Sequence, residues 1–287
     1  MKSQSHHRVG IIGHPIAHTL SPAMHTAAFD ELRIPFTYGV FDVIDEFLPA
    51  LLASLRKNEF AGVNITIPHK ERVIGLLDSV KDDAATIGAV NTIVNLNGKL
   101  TGYNTDIAGI QKALEPFGER IRSGSVLVLG AGGGARAAVY AISRNFSPSS
   151  VRLYNRTISR AEAIVNEFKK IFPGVAFENV ADVKRIPAVA ADSVLIVNTT
   201  SVGMTPNNGT SPFSPAIRFS NQQIIFDIIY TPIETEFLRR AKSDGAQTIN
   251  GVEMFVHQGA KAFELWTGER FPVDLARQAV LKALTST

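Results

Sequence analysis

The sequence predicts an α/β protein of two domains, and three observations carry that reading. Short β-branched runs alternate with helix-period segments along most of the chain. A polar stretch at 115–125 parts a first unit from a strong apolar strand that opens straight into a glycine-rich turn. Of the 287 residues, 45% are hydrophobic, which suffices for one large core or two ordinary ones.

The predicted strands are 9–12, 36–40, 62–67, 125–129, 151–154, 193–197 and 224–229. Helical patterns fall at 23–32, 44–55, 70–77, 106–114, 135–143 and 159–172, and again at 252–266 and 273–284. Alternation of this kind implies parallel sheets with helices on their faces. The stretch 90–102 is the exception. Two short extended runs flank Asn97-Gly98, a dipeptide suited to a tight hairpin turn. Asn104-Thr105-Asp106 then reads as a helix start. The expected domains are 1–105 with 252–287, and 106–251; by pattern alone the C-terminal helices fit either.

Composition narrows the function classes. Charged residues make up 19% of the chain, the net charge is +3, and there is no long run of either sign. No basic cluster with interleaved aromatics is present, so no nucleic-acid partner is expected. The absence of cysteine excludes disulfides, thiol nucleophiles and Cys-based metal sites. Residues 1–8 are polar and lead directly into the first strand, unlike a signal peptide. Arg136 and Asp227 interrupt the most apolar segments, so no membrane span is expected. The expected location is the cytoplasm.

Residues 125–129 form a buried-strand run that leads into Gly130-Ala131-Gly132-Gly133-Gly134-Ala135-Arg136 and then a helical pattern. This is G-x-G-x-x-A in the strand–turn–helix setting that dinucleotide binding requires. Gly130 allows the tight turn, Gly132 lets backbone approach a pyrophosphate, and Ala135 permits close helix–strand packing. The helix N-terminus offers free N–H groups to phosphate. A ligand-free glycine turn is the competing reading. The next strand, 151–154, ends without the carboxylate that would mark NAD. Asn155, Arg156, Thr157 and Arg160 stand there instead, suited to a 2′-phosphate and hence to NADP. Solvated surface arginines are the alternative. Thr199 and Ser201 follow another strand end, as a cofactor-lining loop or an ordinary Ser/Thr turn.

The residues able to do chemistry lie mainly in the first unit. Asn64 and Thr66 share one face of their strand, opposite the apolar residues. Pro68-His69-Lys70 follows, and the pattern puts Lys70 in the first turn of a helix. A lysine there meets the positive end of the helix dipole, which favours release of its proton. Solvated Lys70 is the plain alternative. Asp106 opens a helix, where an N-cap would explain it; facing Lys70, it would also hold the lysine. Thr19 and Ser21 present two hydroxyls suited to a carboxylate, or else cap the helix that begins near Pro22. His14 and His18 have i,i+4 spacing, but Pro15 and Pro22 oppose one continuous helix, and no metal site is expected.

The ordered set Thr19-Leu20-Ser21-Pro22, Asn64-Ile65-Thr66-Ile67-Pro68-His69-Lys70, Gly88-Ala89-Val90-Asn91-Thr92 and Asn104-Thr105-Asp106 continues beyond the first unit. Gly130 to Arg136, Asn155-Arg156-Thr157, Asp227-Ile228-Ile229-Tyr230-Thr231-Pro232 and Gly251-Val252-Glu253-Met254 with Gln258 follow. From about residue 9 to residue 266 the chain resembles the shikimate dehydrogenase family. The resemblance implies an N-terminal α/β substrate domain and a Rossmann-type NADP-binding domain with a cleft between them. It also implies that the C-terminal helices return to the substrate domain and that the chain acts on a small molecule; a monomer or homodimer is expected. The implied reaction is reversible reduction of 3-dehydroshikimate to shikimate with NADPH. By that similarity Lys70 would be the acid–base group and Asp106 its partner. Ser21 and Thr19 would bind the carboxylate; Asn64, Thr66, Asn91, Tyr230 and Gln258 would bind the ring hydroxyls. Gly130 to Ala135, Asn155 to Arg160, Thr199, Ser201, Ile228, Gly251 and Asp82 would line the cofactor site. Many members have serine where this chain has Thr19, which implies some relaxation of substrate choice toward quinate. The competing readings are a quinate/shikimate dehydrogenase of broader specificity and a catalytically silent NADP-binding regulatory protein.

Overall fold

The computed structural model describes residues 7–57 and 59–285; of the polar N-terminal segment, residues 1–6 lie outside the described residues. The chain forms two compact units, Met1–Asp106 with Val256–Thr287, and Ile107–Phe255.

The first unit contains β1 (His7–Gly13), α1 (Ser21–Leu32), β2 (Phe36–Asp42), α2 (Leu48–Leu55), β3 (Gly62–Ile65), β4 (Ser79–Val80), α3 (Asp82–Ile87), β5 (Thr92–Leu96) and β6 (Lys99–Tyr103). Its sheet runs β2-β1-β3-β5-β6-β4. It is mixed rather than parallel: β1 runs parallel to β2 and β3, but β5 is antiparallel to both β3 and β6. The second of these reversals is the β5–β6 hairpin, where Asn97 and Gly98 both take positive φ, 52° and 85°. That is the backbone a two-residue hairpin turn demands. Leu48, Leu52 and Leu55 on one face of α2 pack into a core with Ile12, Val63, Ile65 and Ile93.

Two helical expectations fail here. The segment 70–77 forms only a 3₁₀ helix at Arg72–Leu76, leaving Lys70 in the preceding turn. Of its five residues only Val73 is buried, and Gly75 weakens the rest, so no apolar stripe holds an α-helix there. Helix α2 starts at Leu48, not 44, because Pro49 suits only a first turn.

The second unit continues with α4 (Asp106–Leu114), α5 (Gly118–Ile121), β7 (Ser125–Leu129), α6 (Gly133–Phe146), β8 (Ser150–Tyr154), α7 (Ile158–Ile171) and β9 (Ala176–Asn179). After these come α8 (Ile186–Ala191), β10 (Leu195–Asn198), β11 (Ile224–Asp227), α9 (Glu236–Ser243) and β12 (Gln247–Ile249). All six strands are parallel, in the order β12-β11-β10-β7-β8-β9. Counted from β7, this is the doubly wound order of a Rossmann domain, with its switch point between β7 and β10. Strands β9 and β12, four and three residues long, escaped sequence patterning because a run that short shows little periodicity.

Helices α10 (Val252–Thr267) and α11 (Val273–Thr285) end the chain. From Val256 onward these residues belong to the first unit. Trp266 anchors them by donating its indole N–H to Ile93 O at 3.0 Å. His25 on α1 is wholly buried among Phe29, Tyr38, Phe263, Trp266 and Phe271. Burial pushes its imidazole down to about 3, so it packs as a neutral aromatic ring, stacked 4.6 Å from Tyr38. No described helix is long and apolar enough to cross a membrane.

Candidate active site

In the first unit, Lys70 Nζ donates to Asp106 Oδ2 at 2.6 Å. Asp106 is 4% exposed and Lys70 retains limited access to solvent. The other carboxylate oxygen, Oδ1, accepts from Asn91 Nδ2 at 2.8 Å. Asn91 also donates to Thr105 Oγ1 at 2.9 Å and accepts from the Thr105 N–H at 2.7 Å. From there the network crosses the sheet: Asn64 Nδ2 donates to Thr92 Oγ1 at 3.0 Å, and Tyr38 donates to Asn64 Oδ1 at 2.8 Å. Neighbouring strands in the order β2-β1-β3-β5 put these positions side by side.

Asp106 is therefore not an N-cap. It is the first residue of α4, its side chain faces Lys70 and Asn91, and its own N–H is accepted by Asn104 Oδ1 at 3.1 Å. Asn104 does the local work expected of Asp106. Lys70 is fixed at its backbone as well, its carbonyl accepting from Val90 N–H at 2.8 Å.

The loop after β1 carries the two predicted hydroxyls. Thr19 Oγ1 donates to Ser21 Oγ at 3.2 Å and accepts from the Ser21 N–H at 3.3 Å. Ser21 is itself the first residue of α1 and Leu20 holds the cap position without a side-chain bond, so the Thr19 contact with the Ser21 N–H shapes the helix start. The loop is tied to β2 by His14 Nδ1, 2.6 Å from Asp42 Oδ1. The His14 hydrogen bond holds the Asp42 carboxyl below the usual carboxylate range. Thr66 packs against Gly13, where an added Cβ would stand 2.4 Å from Thr66 Cγ2. Gln258, half-buried on α10, belongs to this unit, as does Asp82, exposed at the start of α3.

In the second unit the glycine turn sits at the switch point. Gly130 has φ +112°, and a Cβ there would lie 2.5 Å from Thr199 Oγ1. Gly132 faces open space and stands immediately before α6, whose first residue is Gly133. The free N–H groups of that helix start suit a phosphate. Ala135 is fully buried against the sheet. Thr199 donates its hydroxyl to Leu129 O at 2.6 Å and so closes one side of the turn, while Ser201 is exposed. Ile228 closes the other, with Cδ1 3.3 Å from a Cβ placed on Gly134. Gly251 is needed here, since its Cβ would come within 2.2 Å of Ile228 O. At the tip of β8, Asn155 donates to Thr157 O at 2.9 Å and shapes the turn. Arg156 and Arg160 are exposed there, with no acidic partner among the described residues. Tyr230 belongs to this unit, with its ring 4.3 Å from that of Phe255. Burial pushes its phenol up to about 12, so it stays a hydroxyl donor.

The model of the shikimate dehydrogenase substrate binding domain matches residues 11–93, and that of the shikimate 5′-dehydrogenase C-terminal domain matches residues 251–281. A shikimate dehydrogenase (NADP(+)) of Symbiobacterium thermophilum is 42% identical over 96% of this chain and 94% of its own length. The chain belongs to the shikimate dehydrogenase family. Within that family, the crystal structure from Thermus thermophilus, in complex with NADP(H) and shikimate, superposes with a TM-score of 0.85 at 38% identity, covering 97% of this chain and 100% of that one. A quinate dehydrogenase from Corynebacterium glutamicum in complex with NAD superposes with a TM-score of 0.86 at 31% identity, covering 96% and 98%.

Sequence reasoning missed Tyr38, Thr92 and Thr105, which complete the network around Asn91. Their signal was faint: an aromatic on an edge strand and hydroxyls beside strand ends read as ordinary packing and turns. It also gave no role to Asn198, Asp227 and Thr235. A carboxylate closing the apolar run Ile224-Ile225-Phe226 was the visible sign.

Proposed function

We propose that this protein is an NADP-dependent shikimate dehydrogenase, reversibly reducing 3-dehydroshikimate to shikimate. The observation that carries the reading is the Lys70–Asp106 pair at 2.6 Å, largely withdrawn from water and aligned by Asn91. The family and its shikimate- and NADP-bound members support it. The residues present also fit the cofactor. A positive-φ glycine turn meets a helix start, and two exposed arginines, without an acidic partner among the described residues, stand where an NAD enzyme would carry a carboxylate.

In this reading Ser21 and Thr19 hold the substrate carboxylate, and Asn64, Thr66, Asn91, Tyr230 and Gln258 hold the ring hydroxyls. Gly130 to Ala135 take the pyrophosphate, and Asn155, Arg156, Thr157 and Arg160 the 2′-phosphate; Thr199, Ser201, Ile228 and Gly251 line the rest. NADP(H), when bound, supplies or accepts the hydride. During reduction Lys70 gives a proton to the carbonyl oxygen as it gains charge, and during oxidation it takes the proton from the alcohol. Asp106 holds the Lys70 amine in place and accepts from the same alcohol. Asn91 fixes Asp106, so both groups keep their geometry without substrate. The reading includes a cytoplasmic location and a monomer or homodimer.

The test follows NADP reduction optically with shikimate, with quinate, and with NAD in place of NADP. Turnover confined to shikimate and NADP is expected. Comparable rates with quinate or NAD would move the protein to the broader-specificity reading, which Thr19 makes worth testing. Absence of turnover with every pair, despite NADP binding, would remove the enzyme reading.

A further inference from the structure

Asp227 closes β11 and is fully buried. Its Oδ1 accepts from Asn198 Nδ2 at 3.0 Å and from the Ile229 N–H at 3.2 Å; its Oδ2 accepts from Thr235 Oγ1 at 2.7 Å. These donors are all neutral, and no cation pairs with the carboxylate among the described residues. Burial pushes the carboxyl up to about 6, against the pull of the three hydrogen bonds. A buried carboxylate without a cation is costly, so a compensating role in geometry is to be sought.

The neighbours of Asp227 supply that role. Asn198 and Asp227 lie opposite one another at the ends of the parallel strands β10 and β11. Asn198 Oδ1 accepts from the Thr200 N–H at 3.1 Å and from Thr200 Oγ1 at 2.7 Å, and its Nδ2 also donates to Val202 O at 3.2 Å. This side chain therefore sets the course of residues 199–203. On the other side, the Ile229 N–H bond sets the course of residues 228–230. Both segments touch the glycine turn: Thr199 over Gly130, and Ile228 against Gly134 and Gly251. Thr235, which also caps α9 by accepting from the Leu238 N–H at 3.3 Å, ties the carboxylate to a rigid element.

We propose that Asp227 is the positioning residue of the dinucleotide cradle, fixing both walls of the glycine turn through Asn198 and the Ile229 amide. It thereby sets affinity for the part of the cofactor shared by NADPH and NADH, not for the 2′-phosphate. The proposal rests on the reading that the second unit binds NADP(H).

The test compares wild type, Asp227→Ala and Asp227→Asn as full chains, titrated with NADPH and NADH by nicotinamide fluorescence with binding stoichiometry recorded. Asp227→Ala weakens both dinucleotides by the same factor, roughly tenfold, at unchanged stoichiometry. Asp227→Asn keeps an acceptor for Asn198 and Ile229 and offers its NH₂ to the Thr235 hydroxyl, which can accept. It therefore restores affinity to within about threefold of wild type. Wild-type affinity in Asp227→Ala, or a loss confined to stoichiometry, overturns the proposal, because a merely structural residue lowers the folded fraction and not the affinity. A loss for NADPH alone overturns it too. Wild type that binds neither dinucleotide removes both this proposal and the reading beneath it. Wild type that binds both without oxidising shikimate removes the catalytic reading and leaves the titration decisive.

Discussion

The first unit builds its candidate site from side chains that hydrogen-bond one another; the second builds its site largely from places where a side chain is missing. Tyr38, Asn64, Thr92, Asn91 and Asp106 form one directional chain of contacts between 2.8 and 3.1 Å, and Lys70 meets its end at 2.6 Å, each step depending on its neighbour. Gly130, Gly134 and Gly251 contribute by absence, leaving backbone N–H groups and close approaches. A proton transfer needs a group held at one place with a partner that limits its motion, which a buried network supplies. A phosphate needs several donors on a preformed surface, which a helix start supplies. The difference predicts that damage to the Lys70–Asp106 pair slows chemistry while damage to the glycine cradle weakens dinucleotide binding.

The sharpest break should come at Lys70. Lys70→Gln keeps a hydrogen bond to Asp106 but cannot carry the proton, so kcat should fall by about 10³-fold with shikimate KM within a few-fold in steady-state assays. Asp227 gives the next effect, on stability. Its folded-state value of about 6 lies above the ordinary 3.8, so the folded state holds the proton more tightly. Stability should therefore fall as pH rises from about 4 to about 6 and level off above, by on the order of 3 kcal/mol from this group. Denaturant titrations across that range should show the slope reduced in Asp227→Asn; an identical slope would disprove the assignment. Gly130→Ala comes third. A Cβ at φ +112° and 2.5 Å from Thr199 Oγ1 forces the turn open, at about 2 kcal/mol of NADPH affinity. Arg156→Ala should have the smallest effect, weakening NADPH about tenfold while leaving NADH unchanged, as paired titrations would reveal.

The two units also differed in how much of them could be read in advance. The cofactor cradle is nearly contiguous: strand, glycines and helix start span 125–136, and Arg156 follows on the adjacent strand. Local pattern was enough there. The polar network draws on residues from Tyr38 to Asp106, made neighbours only by a sheet order that interleaves β1, β3 and β5. Nothing local in Asn64 or Asn91 announces that adjacency; resemblance to a family gathered the pair, and Tyr38 was left out. Lys70 shows the limit of pattern most clearly. Its expected helix dipole is absent because the helix is a five-residue 3₁₀ turn that starts at Arg72. What holds Lys70 instead is Asp106, 36 residues away.

The division of labour between the units can be tested in a single titration, that of Lys70→Gln with NADPH. The two-unit account predicts a dissociation constant within about twofold of wild type in an enzyme that has lost nearly all turnover. Affinity that weakens in step with turnover would contradict it, because the lysine would then be serving the cofactor site and not the proton.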